Sequence, residues 1–102
     1  MNPVTVGLYV RSSTPDQMAG QLQGLHAFVT DHGWETFEYI DQGLSGATGH
    51  RRALDAMLAA ARAGTIAAVV FTSVDRLTRS PRQLASLIAD LNNHGVALLV
   101  LR

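Results

Sequence analysis

The sequence predicts a three-layer α/β/α domain built on a mainly parallel sheet of at least four strands. Short apolar runs alternate with longer stretches of helical periodicity in the order β-α-β-α-β-α-β, the pattern of strands joined by helical crossovers. Glycine follows each helical stretch, at Gly33, Gly64 and Gly95, where a helix C-terminus favours it. The run from Ile66 to Thr72 is almost wholly apolar, as expected of a strand covered on both faces.

Thr5 to Val10 supplies the first strand. Thr14-Pro15-Asp16-Gln17 then has the form of a helix start: Thr14 can cap, Pro15 fits the first helical position and Gln17 completes a capping box. Met18, Leu22, Leu25 and Val29 recur at helical spacing behind it. Glu35 to Ile40 alternates imperfectly and is expected to form the second strand. Asp41 to His50, with three glycines plus Ser45 and Thr48, offers no core face and reads as a loop. The second helix follows, with Leu54, Met57, Leu58 and Ala61 as its apolar stripe. After the third strand, Ser80-Pro81-Arg82-Gln83 repeats the capping-box pattern and opens a helix whose stripe is Leu84, Leu87, Ile88 and Leu91. Val96 to Leu101 is the fourth strand. Because the chain stops directly after it, residues 1–102 are expected to be a single domain cut from a longer polypeptide, or a truncated gene product.

Composition narrows the function. A chain of 102 residues, 47% hydrophobic, suits one folded core rather than two. Its longest apolar runs are too short to span a bilayer, and no basic, apolar leader opens it; the expectation is a cytoplasmic protein without membrane contact. The absence of cysteine excludes disulfides and thiolate metal sites, and His26, His32, His50 and His94 show no metal-ligand spacing. All eight basic residues are arginine, yet formal net charge is zero. A strong, autonomous nucleic-acid binder would carry a basic excess.

Ligands of open parallel sheets bind beyond the carboxyl ends of the strands, where strand order reverses. Polar residues concentrate at those ends: Arg11, Ser12, Ser13 and Thr14 after the first strand; Asp41, Ser45 and then Arg51 after the second; Asp75, Arg76 and Arg79 after the third. In a flavodoxin-like order the first and third strands are neighbours, and their clusters face one crevice. A serine at a helix start among arginines suits a phosphate, which amides and guanidinium forks both favour. Fixed cations also stabilise the charge that builds when a hydroxyl attacks a phosphodiester.

Tyr9-Val10-Arg11-Ser12-Ser13-Thr14 with Gln17, then Asp41-Gln42-Gly43-Leu44-Ser45-Gly46, Arg51, and Asp75-Arg76-Leu77-Thr78-Arg79 resemble, in order and spacing, the successive motifs of the serine recombinases, the resolvases and DNA invertases. The resemblance covers nearly the whole chain and implies a resolvase-type sheet. It implies Ser13 as the nucleophile that forms a 5′-phosphoserine linkage to DNA, with Arg11, Arg51, Arg76 and Arg79 around the scissile phosphate. Asp75 would orient the arginines, Gln17 would support the site, and Thr14 and Ser45 would lie at the substrate. No metal or organic cofactor is implied, and the active form would be a homodimer or homotetramer. Three departures stand out. Ser12 occupies a position that is usually small and apolar, so two hydroxyls compete for the nucleophile's role; Thr72-Ser73-Val74 replace a stretch that often holds a lysine; and the family's long helix and DNA-binding region are absent from the 102 residues.

Plainer readings exist for several of these residues. Ser13 and Thr14 can serve as helix caps, Gln17 as the partner in the capping box, and Asp75 with Arg76 or Arg79 as a surface ion pair. Arg51, in contrast, would meet an unfavourable helix dipole, which favours a role at the site. Arg52, Arg62 and Arg82 read as solvated helix charges, His32 and His94 as helix-end residues, and Trp34 as packing beside the second strand. The competing functions are a non-enzymatic flavodoxin-like signalling or interaction module and a catalytically silent recombinase fragment. A phospho-receiver would need acidic residues after its first strand, where this chain has arginine and serine.

Overall fold

A computed structural model of the chain describes residues 4–12, 15–42, 52–72 and 80–101. Its elements follow the predicted order: β1 (Thr5–Ser12), α1 (Pro15–His32), β2 (Glu35–Gln42), α2 (Arg52–Ala63), β3 (Ala68–Phe71), α3 (Pro81–Asn93) and β4 (Ala97–Val100). All paired strands are parallel, in the order β2-β1-β3-β4. The first and third strands are therefore neighbours.

The pleat divides the core into two halves. Side chains of β1 alternate between faces, so Val6, Leu8 and Val10 join Met18, Leu25 and Val29 of α1 on one side, with Ala68 and Val70 of β3. Tyr9 points the other way. There it meets Val69 and Phe71, under Leu54, Met57, Leu58 and Ala61 of α2 and Leu91 of α3. The stripe expected for α2 is thus buried in full, and β3 is buried at all four positions.

Helix ends follow their local sequence. The Ser80 hydroxyl accepts from the Gln83 amide at 3.3 Å, ahead of Pro81 in the first turn of α3. Ser80→Ala is expected to destabilise the domain by about 1 kcal/mol, measured by denaturant unfolding; an unchanged midpoint would deny the cap any role. Gly33, Gly64 and Gly95 leave their helices at φ of 69, 79 and 72°, a region that side chains disfavour. His32 and His94 direct Nδ1 to the carbonyls of Phe28 and Asp90 four residues back. The His32 ring also stacks on Trp34, centroids 4.4 Å apart, so Trp34 packs at the end of α1 as its position beside β2 suggests. Arg62 of α2 pairs with Asp90 of α3 at 2.7 Å. The hydrogen bond from Arg62 holds the Asp90 carboxyl below its ordinary range, so the tie persists above that range and is lost as pH falls through the lowered value.

Two expectations change in detail. β1 and β2 continue two residues past their apolar runs, because Arg11 pairs in register with Asp41 and Ser12 with Gln42; backbone pairing carries the polar ends. The stripe of α3 is only partly covered, with Ile88 37% exposed and Val100 of β4 41% exposed. α3 lies against β4, an edge strand of the described sheet, and of its stripe Leu91 is buried while Leu84 and Leu87 are half-buried.

Candidate active site

Because every strand is parallel, the carboxyl ends of β1, β2 and β3 share one edge of the sheet, and each following helix starts from that edge. From β1 the chain moves outward to β2, then crosses back over β1 to reach β3. The covering helix changes face accordingly, α1 on one side and α2 on the other. That reversal between β1 and β3 is where an open parallel sheet forms a crevice.

Asp41 organises the described part of this edge. One carboxylate oxygen, Oδ1, accepts from the Ala53 amide at 2.9 Å, and Oδ2 accepts from the Leu54 amide at 3.1 Å and from the Tyr9 hydroxyl at 2.7 Å. The two amides belong to the first turn of α2 and have no partner within the helix. A strand-end carboxylate thus does what a local cap would do, and its negative charge also suits the positive end of the helix. The Tyr9 ring is fully buried, so the hydroxyl reaches its partner from within the core. Burial raises the pKa of the neighbouring Tyr39 phenol.

Arg11 is half-buried beside Asp41 in the register. Its carbonyl oxygen accepts from Gln21 Nε2 at 3.5 Å, which ties the end of β1 to α1. Gln21 Oε1 is buried without a hydrogen-bond partner. Gln17 stands exposed in the first turn of α1.

Ser13, Thr14, Ser45, Arg51, Asp75, Arg76 and Arg79 lie outside the described residues. The described chain on either side of them is at the same edge. Ser13 and Thr14 are the two residues between β1 and α1, Arg51 immediately precedes α2, and residues 73–79 join the end of β3 to the Ser80 cap of α3. A shallow polar depression between α2 and α3, lined by Arg62, Ser86, Leu87, Ala89, Asp90 and Asn93, lies toward the helix C-termini, at the opposite edge. Among the described residues no three of His, Asp or Glu are grouped as a metal would require, and no helix is long and apolar enough to cross a membrane.

Sequence reading placed Asp41 at the strand end but gave it no partner, and it passed over Tyr9 and Gln21 as individual contributors. One signal was available for Asp41. The second helix begins after His50-Arg51, without the Ser, Thr, Asp or Asn that usually caps, so its free amides required a partner from elsewhere.

The family model described as the resolvase N-terminal domain matches residues 6–102. Among solved structures, the N-terminal catalytic domain of TP901-1 integrase is 27% identical, with a TM-score of 0.83 over 95% of this chain and 76% of that one. The C-terminal catalytic domain of IS1535 TnpA, an IS607-like serine recombinase, is 28% identical, with a TM-score of 0.75 over 93% and 69%. A curated relative, the uncharacterized immunity region protein 3 of Bacillus phage phi105, is 38% identical over 63 residues, or 55% of this chain and 77% of its own.

Proposed function

The chain belongs to the resolvase family of serine recombinases, whose N-terminal domain it matches, and from that premise we propose that Ser13 is the hydroxyl that cuts and rejoins DNA. Ser13 Oγ attacks a backbone phosphorus, the bond from phosphorus to the 3′ oxygen breaks, and a 5′-phosphoserine forms. The proton given up by Ser13 is balanced by the one the departing 3′ oxygen gains. Rejoining reverses the step: a 3′-hydroxyl attacks the phosphoserine and frees Ser13. One phosphoester replaces another throughout, so no nucleotide is consumed.

Arg11, Arg51, Arg76 and Arg79 hold the phosphate and stabilise charge on its nonbridging oxygens, which grows in the transition state. Asp75 orients these arginines. Gln17 supports the site from the first turn of α1, while Thr14 and Ser45 contact the substrate. Recombining two duplexes takes four cuts, which calls for a dimer that pairs into a tetramer, one serine for each strand. The 102 residues serve as the catalytic part of that assembly, and DNA-binding affinity comes largely from chain beyond them.

The reversal of strand order between β1 and β3 carries the reading. In sequence Ser13 follows the first of these strands and Asp75, Arg76 and Arg79 follow the second, and the two strands end side by side at one edge of the sheet, which supports a common site. Incubating the full-length protein with duplex DNA bearing its recombination site is expected to yield a denaturant-stable adduct in which the DNA 5′ end is blocked and the 3′-hydroxyl is free. An adduct through the 3′ end, or cleavage with no adduct, would reject the mechanism.

The neutral 102-residue chain should bind DNA weakly by itself, with Kd of about 1 μM or weaker near physiological salt. Fluorescence anisotropy checks this; a salt-sensitive nanomolar complex would contradict it.

A further inference from the structure

We propose that the outer side of β2 is a self-complementary edge, which pairs antiparallel with β2 of a second copy of this chain about a two-fold axis at Phe37. The contact joins two sheets into one. It is independent of which hydroxyl attacks DNA.

β2 is an edge strand of the described sheet and runs eight residues, against four for β4 at the other edge. The Glu35 amide donates to the Val4 carbonyl on the β1 side. Backbone groups alternate in direction along a strand, so Glu35, Phe37, Tyr39 and Asp41 direct theirs toward β1, while Thr36, Glu38 and Ile40 direct theirs outward. A row of outward donors and acceptors is a template for another strand. Phe37 is 62% exposed, the most exposed large apolar side chain among the described residues, and Ile40 is exposed as well.

Charge selects both the occupant and its register. β2 carries Glu35, Glu38 and Asp41, and carboxylates set directly opposite one another would repel. Centred on Phe37, the pairing sets Phe37 against Phe37, Thr36 against Glu38, Glu35 against Tyr39 and Trp34 against Ile40. No like charges are opposed, and Glu38 is already met by His26 on the α1 face. Moving the centre to Glu38 would oppose two glutamates. Moving it to Thr36 would put Phe37 against Glu35, and moving it to Tyr39 would put Phe37 against Asp41, whose carboxylate is engaged with α2. Because the Phe37 backbone faces β1, the two Phe37 residues form a non-hydrogen-bonded pair with α-carbons about 4.5 Å apart, the closer of the two antiparallel spacings. The carboxyl ends of the two β2 strands then lie about 34 Å apart and point in opposite directions, so the crevice between β1 and β3 stays open in each copy.

The chain has no cysteine, which makes single-cysteine cross-linking of residues 1–102 a direct test of the register. Under mild oxidation Phe37→Cys is expected to form a disulfide-linked dimer at least about ten-fold faster than Glu35→Cys, because only at position 37 do the paired α-carbons meet disulfide geometry. The contact is short, well under the roughly 1,200 Å² of a standard interface, so a weak equilibrium is expected. Sedimentation velocity of the wild-type chain should accordingly show dimer growing with concentration, and Phe37→Glu, which opposes two carboxylates, should abolish it. Circular dichroism melts establish that these variants, at exposed positions, remain folded. Equal cross-linking rates at positions 37 and 35, a wild-type chain that stays monomeric up to its solubility limit, or a folded Phe37→Glu chain that dimerises like wild type would each overturn the proposal.

Discussion

Replacing Ser13 with alanine in the full-length protein is expected to reduce covalent attachment to DNA by at least about ten-thousand-fold, the scale on which loss of a catalytic nucleophile acts. The effect is large because nothing else in the proposed step can substitute for the attacking oxygen. Arginines that stabilise a phosphorane-like charge have nothing to act on until a bond to phosphorus begins to form. Ser12 is the internal control. It is the last residue of β1, paired in register with Gln42, whereas Ser13 is the first residue beyond the strand. Ser12→Ala should therefore retain adduct formation within about ten-fold of wild type, a change too small to mark loss of the nucleophile. Selective loss in Ser12→Ala, with Ser13→Ala active, would transfer the nucleophile's role to Ser12.

The second large effect concerns the fold. Phe71 is fully buried at the end of β3, in the half of the core shared by Tyr9, Met57 and Leu91. Phe71→Ala removes that ring and leaves a cavity the surrounding strands cannot close, at a cost of about 3–5 kcal/mol. In a domain of this size the thermal midpoint should fall by on the order of 15 °C, and the protein would lie near the edge of its stability. Calorimetry of the isolated domain reads the shift directly. A fall of under about 4 °C, equivalent to roughly 1 kcal/mol, would mean that this half of the core does not depend on the ring.

Much of the architecture was legible because it is written in short-range patterns. Leu54, Met57, Leu58 and Ala61 lie at helical spacing, and all four are buried. The apolar run of β3 has helices over both faces, and Ser80 with Gln83 forms the expected cap. Partial exposure of Ile88 was not legible, since its spacing within α3 fits the stripe as well as that of Leu91 does; only the place of β4 at the sheet edge separates them. Asp41 shows the same limit at the site. Its partners are 12 and 13 residues away at Ala53 and Leu54, and 32 away at Tyr9, so no local pattern announces the network. The proposed chemical assignments come from motif order along the chain, and the structure adds that β1 and β3, the strands those motifs follow in sequence, are neighbours.

In the proposed mechanism one hydroxyl, that of Ser13, becomes covalently joined to DNA. Digesting the trapped adduct with protease and nuclease, then locating the modified residue by fragmentation mass spectrometry, tests it most directly. A 5′-nucleotide is expected on Ser13, in the peptide that also contains Arg11 and Gln17. A nucleotide on Ser12, or on a residue outside this stretch, would contradict it.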